Sequence, residues 1–188
     1  MMKQSKTNSK SVKGCLCVLL LVFFLSSCSR EDKEMRILKK VSKDYVTAFS
    51  SSIEEVIASY KENTIVVIID ELDEDDELAK MYPDYSIYVF FYINSFYGRL
   101  GRSEIPSKLF YSKGYPVAFY SNHLSAMKKN DIPESIYRKP KRGTLVDDGN
   151  SWYVVICKTT HKYKVLPDPN LEPFSVIFGQ GLKDFSCD

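Results

Sequence analysis

Histidine is the scarcest reactive side chain in this sequence: two in 188 residues, His123 and His161. They stand far apart with no cysteine at ligand spacing, so a zinc centre would lack its donors. Neither belongs to a G-x-S-x-G elbow. Ser121 and Ser125 flank His123, but neighbours along a chain seldom face one another, which argues against a Ser–His pair for nucleophilic catalysis. Long apolar runs are lacking too. The longest, Cys15 to Leu25 (CLCVLLLVFFL), reaches about 16 Å as a helix, roughly half a bilayer's hydrocarbon core. A permanent transmembrane helix is therefore not expected. An excess of one charge is also missing, since 26 basic residues meet 24 acidic ones for a net +2. That balance gives no electrostatic case for nucleic acid as a partner. Gly98-Arg99-Leu100-Gly101 has the spacing of a backbone-clamping loop, but two glycines in a turn account for it. The acidic run Asp73-Glu74-Asp75-Asp76-Glu77 fails as an EF-hand: Leu78 stands where the loop needs Gly and Asp84 where it needs Glu. It reads as a solvated charge run. No repeat and no cofactor motif is visible, so neither cofactor nor metal is expected.

What is present begins at the front. Lys3, Lys6, Lys10 and Lys13 precede the apolar run, no acid occurs before Glu31, and the run ends in Leu25-Ser26-Ser27-Cys28. A positive n-region, a short apolar core and small residues before a cleavage point make a secretory signal. Without its four lysines the remaining chain has 22 basic and 24 acidic residues, a net charge of −2.

Leu25-Ser26-Ser27-Cys28 resembles the lipobox of bacterial lipoproteins at every position. The resemblance covers about the first 30 residues. It implies cleavage before Cys28, a diacylglyceryl group on its sulfur, acylation of the new amino terminus, and anchoring in a lipid bilayer. One acyl chain binds only marginally, whereas two or more hold a protein durably. It further implies the cell envelope, with Ser29 favouring the outer membrane over the inner. Glu31 and Asp32 are similar to the acidic signals of surface-exposed lipoproteins, but Arg30 interrupts them, so the periplasmic and surface faces both stay open.

Of five cysteines, Cys15 and Cys17 leave with the signal and Cys28 carries lipid. Cys157 and Cys187 remain, in an oxidising compartment where a disulfide between them is one reading and two separate thiols the other.

The domain organisation follows: residues 1–27 as signal, 28–33 as a short lipidated tether, 34–188 as one domain. From Glu34 to Lys61 apolar residues recur at helical steps (Ile37, Val41, Tyr45, Ala48, Phe49). Three serines at 50–52 interrupt them, and Ser52 with Glu55 forms a capping box for a second helix. Thr64–Asp70 is a β-branched run expected to be buried on both faces. Asp76 is placed to cap a short helix through Met81. Ser86–Phe96, a hairpin of Lys108–Ser112 and Tyr115–Ser121 around Lys113-Gly114, Ser151–Thr159, Lys162–Leu166 and Phe174–Phe178 read as strands. Pro116 argues for an edge position of its strand, and His123–Asn130 for a short helix. Helices first and strands after give an α+β fold, one or two N-terminal helices on one face of a mostly antiparallel sheet of about six strands.

This is the profile of an envelope binding module whose partner is an envelope protein or a glycan. No catalytic residue is singled out. Tyr97, Tyr111, Tyr115 and Tyr120 are the candidate binding aromatics among many near turns and strand ends, including Tyr82, Tyr85, Tyr137 and Trp152. Amphipathic rings make good anchors, although Tyr also suits half-buried sheet positions. Two rivals are a structural envelope component and a small hydrolase. The hydrolase would use loop carboxylates such as Asp70, Asp84, Asp147 and Asp148, two of which would need to lie about 5–10 Å apart.

Overall fold

Four consecutive β-branched residues, Val66 to Ile69, are wholly excluded from solvent, and the rest of the sheet is built outward from them. In the computed structural model, which describes residues 29–52, 65–93, 105–137, 151–167 and 174–188, they belong to β1 (Val66–Glu71). The other strands are β2 (Tyr85–Ile93), β3 (Lys108–Ser112), β4 (Tyr115–Tyr120), β5 (Trp152–Cys157) and β6 (Tyr163–Pro167). The helices are α1 (Ser29–Ser52), α2 (Glu77–Met81), α3 (Glu134–Tyr137) and α4 (Phe174–Leu182). The chain divides into two units, residues 1–36 and 37–188. The first is described only over the opening of α1, and apart from that opening everything below concerns the second.

The sheet order is β3-β4-β1-β2-β5-β6. Every neighbouring pair is antiparallel except β1 and β4, which run parallel in the register Val67↔Val117 to Asp70↔Tyr120. This is an α+β fold on a mostly antiparallel six-stranded sheet. Opposite residues share a face, so the register sorts the side chains. Val67, Ile69, Tyr88, Phe90, Tyr92, Val117, Phe119, Trp152 and Val154 share the face that receives α1. Val66, Ile68, Ile87, Phe91, Ala118, Tyr120, Tyr153 and Val155 line the other.

Helix α1 seats a stripe of Leu38, Val41, Tyr45, Val46 and Phe49, all buried, at the three- and four-residue steps that bring side chains to one side of a helix. The Tyr45 ring meets Phe90 and Trp152, and Phe49 stacks on Tyr92 and meets Tyr115 edge-on. Ser42 is also buried; its hydroxyl donates to the Lys39 carbonyl at 2.8 Å, the local bond that lets a serine sit inside a helix interface.

The opposite face is covered as well, which differs from helices on one face only. Leu78 of α2 and Phe178 and Leu182 of α4 pack with Ile87, Val155 and Leu166, while Ile132 and Ile136 pack with Val66, Ile68, Ala118 and Tyr120. The physical reason lies in the strands. A core strand apolar on both faces needs cover on both, and one N-terminal helix layer supplies only one.

Four further differences stand out. The first helix starts at Ser29, ahead of the Glu34 expected from the periodicity. Phe174–Phe178, read as a strand, opens α4; five apolar and small residues cannot be told apart as strand or helix by pattern alone. The stretch 123–128 is irregular, with a single 3₁₀ turn at Lys129–Asp131. Pro116 lies in an interior strand, but β1 pairs with β4 only from Val117 onward, so its missing N–H interrupts no ladder bond there. Lys113 and Gly114 both have positive φ, the two-residue turn that matches strand twist. The second helical piece after Ser52 lies outside the described residues.

Candidate functional site

At the carboxyl ends of the parallel pair, Glu71 and Ser121 directly follow Asp70 and Tyr120, the last residues of the β1–β4 register. The Ser121 hydroxyl donates to the Glu71 carboxylate, whose side chain is 12% exposed. The backbone N–H of His123 donates to Ser121 Oγ at 3.2 Å, and His123 Nε2 stands 4.0 Å from the other carboxylate oxygen. Below it Ser107 ties the loop down, donating to the Ser121 carbonyl at 3.1 Å and accepting the Ser121 N–H at 3.2 Å. Serine, histidine and acid are thus brought together, but in an order that does not activate a nucleophile. That chemistry needs the hydroxyl hydrogen aimed at the imidazole. Here it goes to the carboxylate, and the imidazole lies outside, 63% exposed.

The arrangement fastens the end of β4 to the end of β1. Ser121→Ala should leave the nearly buried carboxylate one donor short and lower the unfolding free energy by about 1–3 kcal/mol, read as a fall in the urea midpoint. An unchanged midpoint would mean that the bond contributes nothing. Sequence reasoning saw Ser121 and His123 but missed Glu71, which reads as the start of an acidic run. Only the parallel register places it beside Ser121.

The other acids have structural uses. Asp76 caps α2 by accepting the Leu78 N–H at 2.9 Å, and Lys80 Nζ donates to the Asp75 carbonyl at 2.7 Å. Asp70 is buried. Asp84 precedes Val89, the β2 partner of Asp70, by five residues, which sets the two aspartates on the order of 15 Å apart along the sheet. That separation exceeds what a hydrolytic carboxylate pair requires. Asp147, Asp148 and the Gly98–Gly101 turn lie outside the described residues. Among the described residues no three His, Cys, Asp or Glu side chains converge as a metal site would need, and no helix is long and apolar enough to cross a membrane.

The candidate tyrosines part company. Tyr97 lies outside the described residues. Tyr111 on the edge strand β3 is 60% exposed, while Tyr115, at the neighbouring register position, turns to the other face and packs on Phe49 at 5.2 Å. Tyr120 is a core residue, 6% exposed, which removes it as a surface anchor. Side chains alternate across a strand, so positions that cluster in sequence separate onto two faces. Tyr82 packs on Phe178, and Tyr85 stacks on Phe185 while its hydroxyl donates to the Phe185 carbonyl at 2.8 Å.

Cys157 and Cys187 are joined, with Cα atoms 5.5 Å apart. The bridge holds the last residues against the β2–β5 end of the sheet, where Lys162 Nζ also donates to the Asp188 carbonyl. The lipobox cysteine, Cys28, lies outside the described residues. Comparison with protein families, with curated proteins and with solved structures gave no match to this chain.

Proposed function

We propose that this chain is an envelope lipoprotein, anchored through acylated Cys28 in the outer membrane, whose domain acts by binding. The observation that carries the reading is Leu25-Ser26-Ser27-Cys28 at the end of an 11-residue apolar run behind four lysines. Two features support binding over hydrolysis. The Ser121 hydroxyl donates to Glu71 and not to the His123 imidazole, and Asp70 and Asp84 are set too far apart for paired carboxylate work. The exposed Tyr111 on an edge strand offers an amphipathic ring of the kind binding surfaces use, with an envelope protein or a glycan as partner.

Cys28→Ala tests the anchor. The variant is expected to leave the membrane fraction and to lose the acyl mass from its amino-terminal peptide; unchanged processing and membrane association would overturn the reading. For the binding role, crosslinking in intact cells with the lipidated protein as bait should capture one saturable partner, and Tyr111→Ala should weaken that capture. Turnover of a glycan with no captured partner would move the assignment to a hydrolase.

A further inference from the structure

Every exposed residue of α1 between Lys39 and Lys43 is a lysine: Lys39, Lys40 and Lys43. Lys39 Nζ lies over the Phe110 ring at 5.5 Å and Lys40 Nζ over the Tyr163 ring at 5.8 Å. Phe110 belongs to β3 and Tyr163 to β6, the two outermost strands of the sheet, so the two ammonium groups lean to opposite sides of the helix. Lys113, exposed at the tip of the β3–β4 hairpin, donates to Thr47 Oγ1 on the next outward turn. The one acid exposed on this part of α1 is Asp44. Four lysines against one aspartate make a cationic surface on a chain whose net charge after the signal is −2, so the residues outside it, 18 basic and 23 acidic, carry the negative excess.

We infer that this lysine face of α1 lies against the phosphate head groups of the bilayer that holds Cys28. The inference rests on the lipoprotein reading above. Ten residues, Ser29 to Leu38, stand between Cys28 and Lys39, and all ten are helical in α1, a rise of about 16 Å at roughly 1.5 Å per residue, so the patch is confined near the surface in which the acyl chains are buried. Charge complementarity selects the occupant. A lysine beside an anionic leaflet strengthens attachment by about fivefold, and three together by about a hundredfold. The aromatic rings beneath the Lys39 and Lys40 ammonium groups restrain those side chains, which reduces the side-chain freedom lost on contact. Anchor and lysine face act as two signals, and together they fix which side of the domain turns away from the membrane: the side of α2 and α4.

The test uses the full lipidated protein inserted in phosphatidylcholine vesicles with and without about one-third phosphatidylglycerol, enough to give an anionic surface. Lysines are labelled with an amine-reactive ester and their rates read by mass spectrometry. Labelling of Lys39, Lys40 and Lys43 should slow by about tenfold or more in the anionic vesicles at low salt, and recover at about 0.5 M salt, where the Debye length falls to a few Å. Lys183, which follows α4 on the opposite face, should label at one rate throughout. Equal rates for Lys39, Lys40 and Lys43 in both vesicle types, with acylated Cys28 present in the amino-terminal peptide, would overturn the inference and leave the lipoprotein reading intact. Absence of the acyl mass would overturn both.

Discussion

Tyr45→Ala is expected to lower the unfolding free energy by about 3–5 kcal/mol, the cost of removing a large aromatic side chain from a packed core. Tyr45 is 1% exposed, and its ring centroid lies 5.9 Å from Phe49, 5.8 Å from Phe90 and 5.2 Å from Trp152. It therefore joins α1 to two strands at once. Domains of this size hold only about 5–15 kcal/mol in all, so the variant should sit near the edge of folding. Trp152 is the single tryptophan and reports the contact directly: its fluorescence in the folded state should change with the loss of the neighbouring ring. Tyr45→Phe keeps the ring and should retain most of the stability. A loss below about 1 kcal/mol for the alanine variant, far under the usual range for such a site, would mean that α1 is not seated on the sheet through this residue.

The disulfide carries the second large effect. Cys157 and Cys187 are 30 residues apart, and closing a loop of that length in the unfolded chain corresponds to about 3.5 kcal/mol of stability on the loop-entropy account. Cys187→Ser is the informative substitution, because Cys187 is half-buried whereas Cys157 is wholly excluded from solvent and a hydroxyl there would add a desolvation cost of its own. The oxidised wild type should unfold at a clearly higher urea concentration than Cys187→Ser. Reductant should bring the wild type down to the variant and leave the variant where it was. Coincident curves for wild type and variant without reductant, with two thiols open to alkylation, would show that the bridge does not form.

The sheet was legible from sequence because its strands are strongly patterned. Thr64–Asp70, Ser86–Phe96, the Lys113-Gly114 hairpin, Ser151–Thr159 and Lys162–Leu166 all correspond to strands observed within a few residues, and the α1 stripe needed only a small rotation, with Leu38 buried and Ile37 half-buried. The Asp76 cap was readable for the same reason, since N-capping is local chemistry. What failed was everything decided at long range. The FSVIF segment has no period of its own; it is helical, and its Phe178 packs with Ile87, Val155 and Leu166 on the second face of the sheet. Tyr120 looked like a surface ring until the β1 register turned it inward beside Ile132 and Ile136. Glu71 could not be paired with Ser121 without knowing that β1 and β4 run parallel, a fact that no local pattern carries.

The position of β1 also sets a schedule. Its partners arrive at very different times: β2 pairs in the register Val66↔Ile93, but β4 only through Val67↔Val117, fifty residues further along the chain. For a polypeptide that emerges amino terminus first, the most apolar strand is made early and completed late. Until β4 appears, one edge of Val66–Ile69 stays open to any other extended chain, and closing so long a loop is slow compared with forming the β3–β4 hairpin beside it. The hairpin should then form first and dock as a unit. The interval before it docks is when this chain has most need of a chaperone.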